Sequence, residues 1–250
     1  MIKIKKTKEL DHMRESAQVA STVLHAVKQK IAPGVSTGEL DDYAYERIHA
    51  LGAKSAFQGY RGYPANICTS VNDEVVHGIP GKRKIEIGDI VSIDAGVIYN
   101  GYVGDNATTV AVGVTDPKIL RLLNVTEIAL ETAISKAVAG GRVSDISHAV
   151  EQVAIEAGFS VVRDFVGHGI GKDMHEDPQI PNFGPPGRGP KLKNGMTLAL
   201  EPMVNVGQAD VEVMSDGWTV LTKDRKYSAH FEHTVAIQNG KAEVLTRKKK

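Results

Sequence analysis

The chain has 250 residues, 30 basic and 30 acidic side chains, and one cysteine. Balanced charge argues against a grip on nucleic-acid phosphates, and the lone Cys68 excludes an internal disulfide or a multi-thiolate metal site and suits a reducing compartment. No uncharged apolar run approaches the ~18 residues of a membrane span, and the lysine-rich start lacks a signal-peptide core, so the chain reads as cytoplasmic, with no membrane partner.

Leu10, Met13, Ala17, Ala20, Leu24 and Val27 recur three or four apart and predict a helix from Thr7, with Thr7 as its cap and Pro33-Gly34 as its stop. A second helix is predicted from about Ser36 to Leu51. From Ile85 to Val114 the period becomes that of strands. Helices over about Lys118–Ala139 and Ser144–Ala157 follow, ended by Gly140-Gly141 and Gly158. Strands are predicted around Ser160–Val166, Thr197–Val206, Val211–Met214 and His230–Gln238. Pro178 to Pro190 holds five of the ten prolines and reads as a rigid, irregular loop. The basic end, Arg247-Lys-Lys-Lys250, reads as frayed and disordered.

The chain also resembles itself. Lys84-Ile-Glu-Ile-Gly-Asp-Ile-Val-Ser-Ile-Asp94 parallels Lys191-Leu-Lys-Asn-Gly-Met-Thr-Leu-Ala-Leu-Glu201, each closing an apolar strand on an acid. Gly34-Val35-Ser36 and Arg142-Val143-Ser144 each open a helix, and Thr109-Val-Ala-Val112 matches Thr234-Val-Ala-Ile237. The expectation is a single catalytic domain, 1–250, built from halves of about 1–117 and 118–246 whose acids meet near a pseudo-twofold axis.

Asn100-Gly101 is the strongest short hairpin signal in the chain. With those residues as the turn, pairing partners sum to 201, so Asp105 faces Gly96 and shares a face with Asp94. Two carboxylates that close, among Val, Ile and Ala, need a positive partner between them. A calcium loop is excluded, because Gly96, Ile98 and Tyr99 stand where oxygen ligands or glycine are required. Glu201 and Glu232 are two more acids in apolar strands, and His168 lies in Gly167-His-Gly-Ile-Gly171, where glycines let backbone pass close to something. Four carboxylates and one imidazole without a thiolate suit Mn, Fe, Co or Zn, as a pair able to activate water. His77 and His175 remain as neutral hydrogen-bonding groups beside them.

At these residues the sequence resembles the type I methionine aminopeptidases of the pita-bread metallopeptidase family, the bacterial type without an N-terminal extension. The motifs are Gly59-Tyr-Arg-Gly-Tyr-Pro64, Asn72-Asp-Glu-Val-Val-His-Gly-Ile-Pro80, Asp89-Ile-Val-Ser-Ile-Asp94, Gly101-Tyr-Val-Gly-Asp105, Gly167-His-Gly-Ile-Gly171, Glu201-Pro-Met203 and Phe231-Glu-His-Thr234. The resemblance implies an α+β pita-bread fold: two related halves, a curved antiparallel sheet and helices outside it. It implies two divalent ions (Co, Mn, Fe or Zn) held by Asp94, Asp105, His168, Glu201 and Glu232, and a bridging hydroxide that attacks the scissile carbonyl. His175 would donate to the carbonyl oxygen, His77 would contact the scissile nitrogen or adjoining backbone, and Glu201 would also relay the proton. Phe57, Tyr60, Tyr63, Cys68, Met174 and Trp218 would form the methionine slot. Asn72 and Ser228 would help hold a structural monovalent cation. The partners implied are the N-termini of nascent polypeptides with a small second residue, and the ribosome; a monomer is expected because no apolar surface stripe is left over in the sequence.

Competing readings are weaker. A proline-specific relative would carry a longer N-terminal domain than the position of Asp94 allows, and a type II enzyme would need a helical insertion. A metal-free binding protein on this fold would not need all five ligands. A two-metal phosphoesterase would want Lys or Arg in the hairpin core, which has none.

Overall fold

The computed structural model describes residues 1–247, so the last three lysines of the expected frayed end lie outside the described residues. Arg247 itself is not frayed: its guanidinium pairs with Glu131, and its carbonyl accepts from Gln18 Nε2 at 3.0 Å. No helix among the described residues is long and apolar enough to cross a membrane.

Four helices form where the apolar spacing predicts them: α1 (Thr7–Lys28), α2 (Thr37–Ala50), α3 (Pro117–Lys136) and α4 (Val143–Glu156). Their starts follow local chemistry. Ser36 caps α2 in a reciprocal box with Glu39, and Asp116 caps α3 ahead of Pro117 at the first helical position. Thr7 does not cap α1. It is the first helical residue, Lys6 is the cap, and the Glu9 carboxylate accepts from the Lys6 N–H at 2.9 Å.

The strands, in chain order, are β1 (Lys54–Ser55), β2 (Cys68–Val71), β3 (Glu74–Val76), β4 (Ile90–Tyr99), β5 (Tyr102–Ala111), β6 (Ser160–Val161), β7 (Gly167–Gly169), β8 (Glu176–Ile180), β9 (Thr197–Leu200), β10 (Met203–Asn205), β11 (Val211–Val213), β12 (Val220–Thr222), β13 (Ser228–His230), β14 (Glu232–Gln238) and β15 (Lys241–Val244). Nine of them form one antiparallel sheet in the order β1-β4-β5-β14-β9-β7-β8, with β2 also on β4 and β15 also on β14. The β4–β5 register is the one the Asn-Gly turn dictates, with Asp94 opposite Ala107 and Gly96 opposite Asp105. Asn100 and Gly101 both take positive φ, 49° and 77°, as a two-residue turn of that kind requires.

Four further expectations need correction. Pro178 lies inside β8 and not in an irregular loop; β8 is the last strand of its sheet, where a residue without an N–H is tolerated. The expected strand Thr197–Val206 is two strands broken at Glu201-Pro202, and His230–Gln238 is broken at Phe231, so both acids sit where the ladder turns. The expected strand Ser160–Val166 shrinks to two residues.

Equivalent contacts recur in the two halves. Gly34 N–H donates to the Ile85 carbonyl at 2.8 Å, and Gly140 N–H to the Leu192 carbonyl at 2.9 Å. Ser36 bridges Lys84 as Arg142 bridges Lys191. These contacts match Ser36 with Arg142, two residues away from the Ser36–Ser144 match suggested by sequence. One buried core joins α1 and α2 to β4 through Leu24, Leu40, Ile48, Val91 and Ile93; another joins α3 and α4 to β9 and β14 through Leu122, Ile146, Leu198 and Val235. β5 and β14 pair where the halves meet, with Ala107 opposite Glu232.

Candidate metal centre and substrate cavity

The sheet delivers the acids by register. Asp94 and Asp105 share a face of the β4–β5 hairpin, and Glu232 begins β14 beside β5. β7 lies between β8 and β9, and its central residue His168 pairs with Ala199 on one side and Gln179 on the other. Gly167 permits this approach, since a Cβ there would lie 2.6 Å from the Ala199 carbonyl oxygen. His168 Nδ1 lies 2.9 Å from the Gly169 carbonyl oxygen, which leaves Nε2 facing Glu201 Oε1 at 3.4 Å. One ligand atom each from Asp105, His168 and Glu232 lies within 4.8 Å of the others, and all three residues are buried.

Burial is hostile to this cluster as protein alone. It lifts the Asp105 carboxyl to about 7. Burial, then the neighbouring Asp105, lifts Asp94, Glu201 and Glu232 well above the usual carboxylate range. Burial, with His175 close by, pushes the His168 imidazole down to about 3, so it is neutral and free to ligate. Asp94 Oδ1, Asp105 Oδ1 and Glu232 Oε1 are buried without a hydrogen-bond partner. Orphaned acid oxygens converging beside a neutral imidazole fit divalent cations, and the donor set accepts Mn, Fe, Co or Zn.

Above the acids opens a cavity of about 290 Å³, and all thirteen predicted site residues line it. Phe57 and Met174 converge over Gly96, where a Cβ would meet Phe57 Cε1 at 2.5 Å and Met174 Cε at 2.8 Å. The Tyr63 hydroxyl shares its one proton between the Gly78 and Ile67 carbonyls, at 3.0 and 3.1 Å, and its ring meets Trp218 edge-on. Cys68 pairs with Asp94 across β2 and β4, and burial pushes its thiol pKa up. His77 has φ 60°, uncommon for a residue with a Cβ, and its ring lies edge-on between Phe165 and Trp218. Burial pushes it down to about 4. His175 stands against His168, ring centroids 4.3 Å apart, and burial, then Arg61, lowers its pKa. Asn72 and Ser228 lie outside the cavity lining but meet each other, the Asn72 carbonyl accepting from the Ser228 N–H at 2.8 Å.

Four lining residues went unseen in the sequence: Arg61, Asp164, Phe165 and Val166. Phe165 and Val166 immediately precede the glycine–histidine motif, which was the available signal. Also unseen was the bond from the Tyr60 hydroxyl to His175 Nδ1, 2.7 Å long across 115 residues of sequence.

The family model described as metallopeptidase family M24 matches residues 11–239. Methionine aminopeptidase 1 of Bacillus subtilis is 49% identical over 247 residues, covering 99% of this chain and 100% of the relative. The chain belongs to the methionine aminopeptidases of metallopeptidase family M24. Another member, the methionine aminopeptidase of Clostridium acetobutylicum, is 47% identical over 98% of this chain and 99% of its own. A crystal structure of methionine aminopeptidase from Thermotoga maritima superimposes with a TM-score of 0.97 at 46% identity, with full coverage of both chains. The fold is the pita bread of these methionine aminopeptidases, and the buried cluster of Asp105, His168 and Glu232 could hold a metal ion.

Proposed function

We propose that the chain removes the N-terminal methionine from newly made polypeptides, preferring a small second residue. The carrying observation is the trio of partnerless buried oxygens on Asp94, Asp105 and Glu232, residues that line the cavity of about 290 Å³. Asp94, Asp105, His168, Glu201 and Glu232 would hold two divalent ions. When bound, such ions supply Lewis acidity, which polarises a carbonyl and acidifies water toward a pKa of about 7.

The other steps belong to the chain's own groups. Phe57, Tyr60, Tyr63, Cys68, Met174 and Trp218 enclose the methionine side chain and exclude water from it. Tyr63 is held by two backbone carbonyls, so it offers the slot a fixed ring. His175 donates a hydrogen bond to the scissile carbonyl oxygen as charge develops there. His77 contacts the scissile nitrogen or the backbone beyond it. The Glu201 carboxylate takes a proton from the attacking water and returns it to the leaving amine. The chain acts as one catalytic domain of two halves, a reading supported by the matched Gly34–Ile85 and Gly140–Leu192 bonds. We place it in the cytoplasm, as a monomer working near the ribosome.

Release of methionine from Met-Ala-Ser and Met-Leu-Ser, with and without chelator, tests this. The expected result is chelator-sensitive release that is faster from Met-Ala-Ser; equal rates from the two peptides would overturn the small-residue preference. His175→Ala should cut kcat by roughly 10²–10³-fold with metal retained; an unchanged kcat would remove His175 from the mechanism.

A further inference from the structure

His175 enters the site at the end of a short loop between β7 and β8, and the residue after it, Glu176, begins β8 with a buried side chain. The Glu176 side chain is 2% exposed. Its Oε2 accepts from Lys5 Nζ at 2.5 Å, and Lys5 is also buried. Its Oε1 accepts from Lys3 Nζ at 3.2 Å. Lys3 also holds Asp173, at 2.6 Å, on the near side of His175. Gly171, at the start of the loop, is pressed against this pair: a Cβ there would lie 2.5 Å from Glu176 Oε1 and 2.7 Å from Lys5 Cε. Lys5 is anchored in turn, its N–H donating to the Gly195 carbonyl at 2.8 Å.

A buried ion pair is a poor device for raw stability, because desolvation offsets most of its Coulomb gain. It is a good device for fixing geometry, since Lys5 and Lys3 close on both oxygens of Glu176, and the only other partner of Lys5 Nζ is the Lys3 carbonyl of the same segment, at 3.4 Å. We propose that the segment Lys3–Lys5 is a strap on the His175 loop, and that Lys5, through Glu176, is a positioning residue that holds His175 at the height where its ring meets the substrate carbonyl. Lys5 lies outside the cavity lining. The strap rests on the proposed role of His175 and adds a residue from the opposite end of the sequence to that role.

The experiment is a double-mutant cycle between Lys5→Met and His175→Ala on the metal-loaded full chain, reading kcat and KM on Met-Ala-Ser, metal stoichiometry and the melting temperature. Loosening a reacting group by about 1 Å can cost up to ~10²-fold, so Lys5→Met is expected to lower kcat about 10-fold with KM and bound metal unchanged. In the His175→Ala background the same substitution should cost nothing further, because the group it positions is gone. A merely structural loss would lower both backgrounds alike. An unchanged kcat in Lys5→Met, or equal losses in the two backgrounds, would overturn the strap. Methionine release by the wild-type chain and its loss in His175→Ala report separately on the function reading. If Lys5→Met does not fold, Lys5→Arg, which keeps the charge but shifts its donor atoms, is compared in the same two backgrounds with the same two outcomes.

Discussion

At the scale of single residues, the site is a collection of groups held in states they would not choose in water. Glu201 is the sharpest case, a largely buried acid whose Oε1 faces His168 Nε2 at 3.4 Å. Glu201→Gln keeps the shape, removes the charge and cannot relay a proton. Turnover should fall by at least ~10²-fold, the usual size of a lost acid–base group, and metal affinity should fall with it; near-normal kcat on Met-Ala-Ser would refute the dual role. Tyr60 carries a different expectation. In Tyr60→Phe the cavity keeps its ring but His175 loses the bond at Nδ1, so kcat should fall while KM holds. A rise in KM alone would make Tyr60 only a wall of the slot. Gly96 should tolerate nothing larger. In Gly96→Ala the new methyl meets Phe57 and Met174, so kcat/KM for methionine peptides should drop with metal content unchanged. The acids were legible because Asp and Glu are out of place in apolar strands. The Tyr60–His175 bond was not, since no local pattern reports a contact made through the fold.

At the scale of elements, legibility followed the strength of the local rule. The β4–β5 hairpin has ten residues in each strand and an Asn-Gly turn, and its register was readable to the residue. Strand β2 is short and buried at every position, so it shows no alternation, and its pairing with β4 was invisible. β8 was hidden by Pro178, whose exclusion from strands lapses at a sheet edge. The breaks at Glu201-Pro202 and Phe231 were missed because both flanks are equally apolar. The hairpin also has a rigid backing. α1 crosses Gly104 so closely that a Cβ there would lie 2.6 Å from the Ala17 N and the Ser16 carbonyl. Gly104→Val should therefore destabilise the chain by about 1–3 kcal/mol or more, measured by urea unfolding of the metal-free protein. Unaltered stability would mean that α1 is free to move outward.

At the scale of the whole molecule, two similar halves each contribute acids, and the strands on which they meet, β5 and β14, pair across the junction. The cost of that arrangement is electrostatic, and it sets a pH signature. Metal-free, the Asp105 carboxyl keeps its proton up to about 7, while an unfolded carboxyl loses it near 4. The stability this group contributes is present below about 4 and lost as pH rises through about 7. The buried histidines work in the opposite sense. His77, held near 4, and His168, near 3, contribute stability above the unfolded value of about 6.5 that is lost as pH falls. A divalent ion removes the first effect by displacing the acid's proton. The increase in melting temperature on adding Mn²⁺ should therefore grow between roughly pH 5.5 and 7.5. An increment that is flat or shrinks with pH would place the ion elsewhere.

The most direct measurement is metal stoichiometry and methionine release on one preparation, stripped with chelator and then reconstituted, for the wild-type chain and for Asp105→Asn. The account predicts two divalent ions per reconstituted wild-type chain, methionine freed from Met-Ala-Ser only when they are present, and loss of both in Asp105→Asn. Release by the stripped protein at the reconstituted rate, or an Asp105→Asn chain that binds metal and cleaves like the wild type, would contradict it.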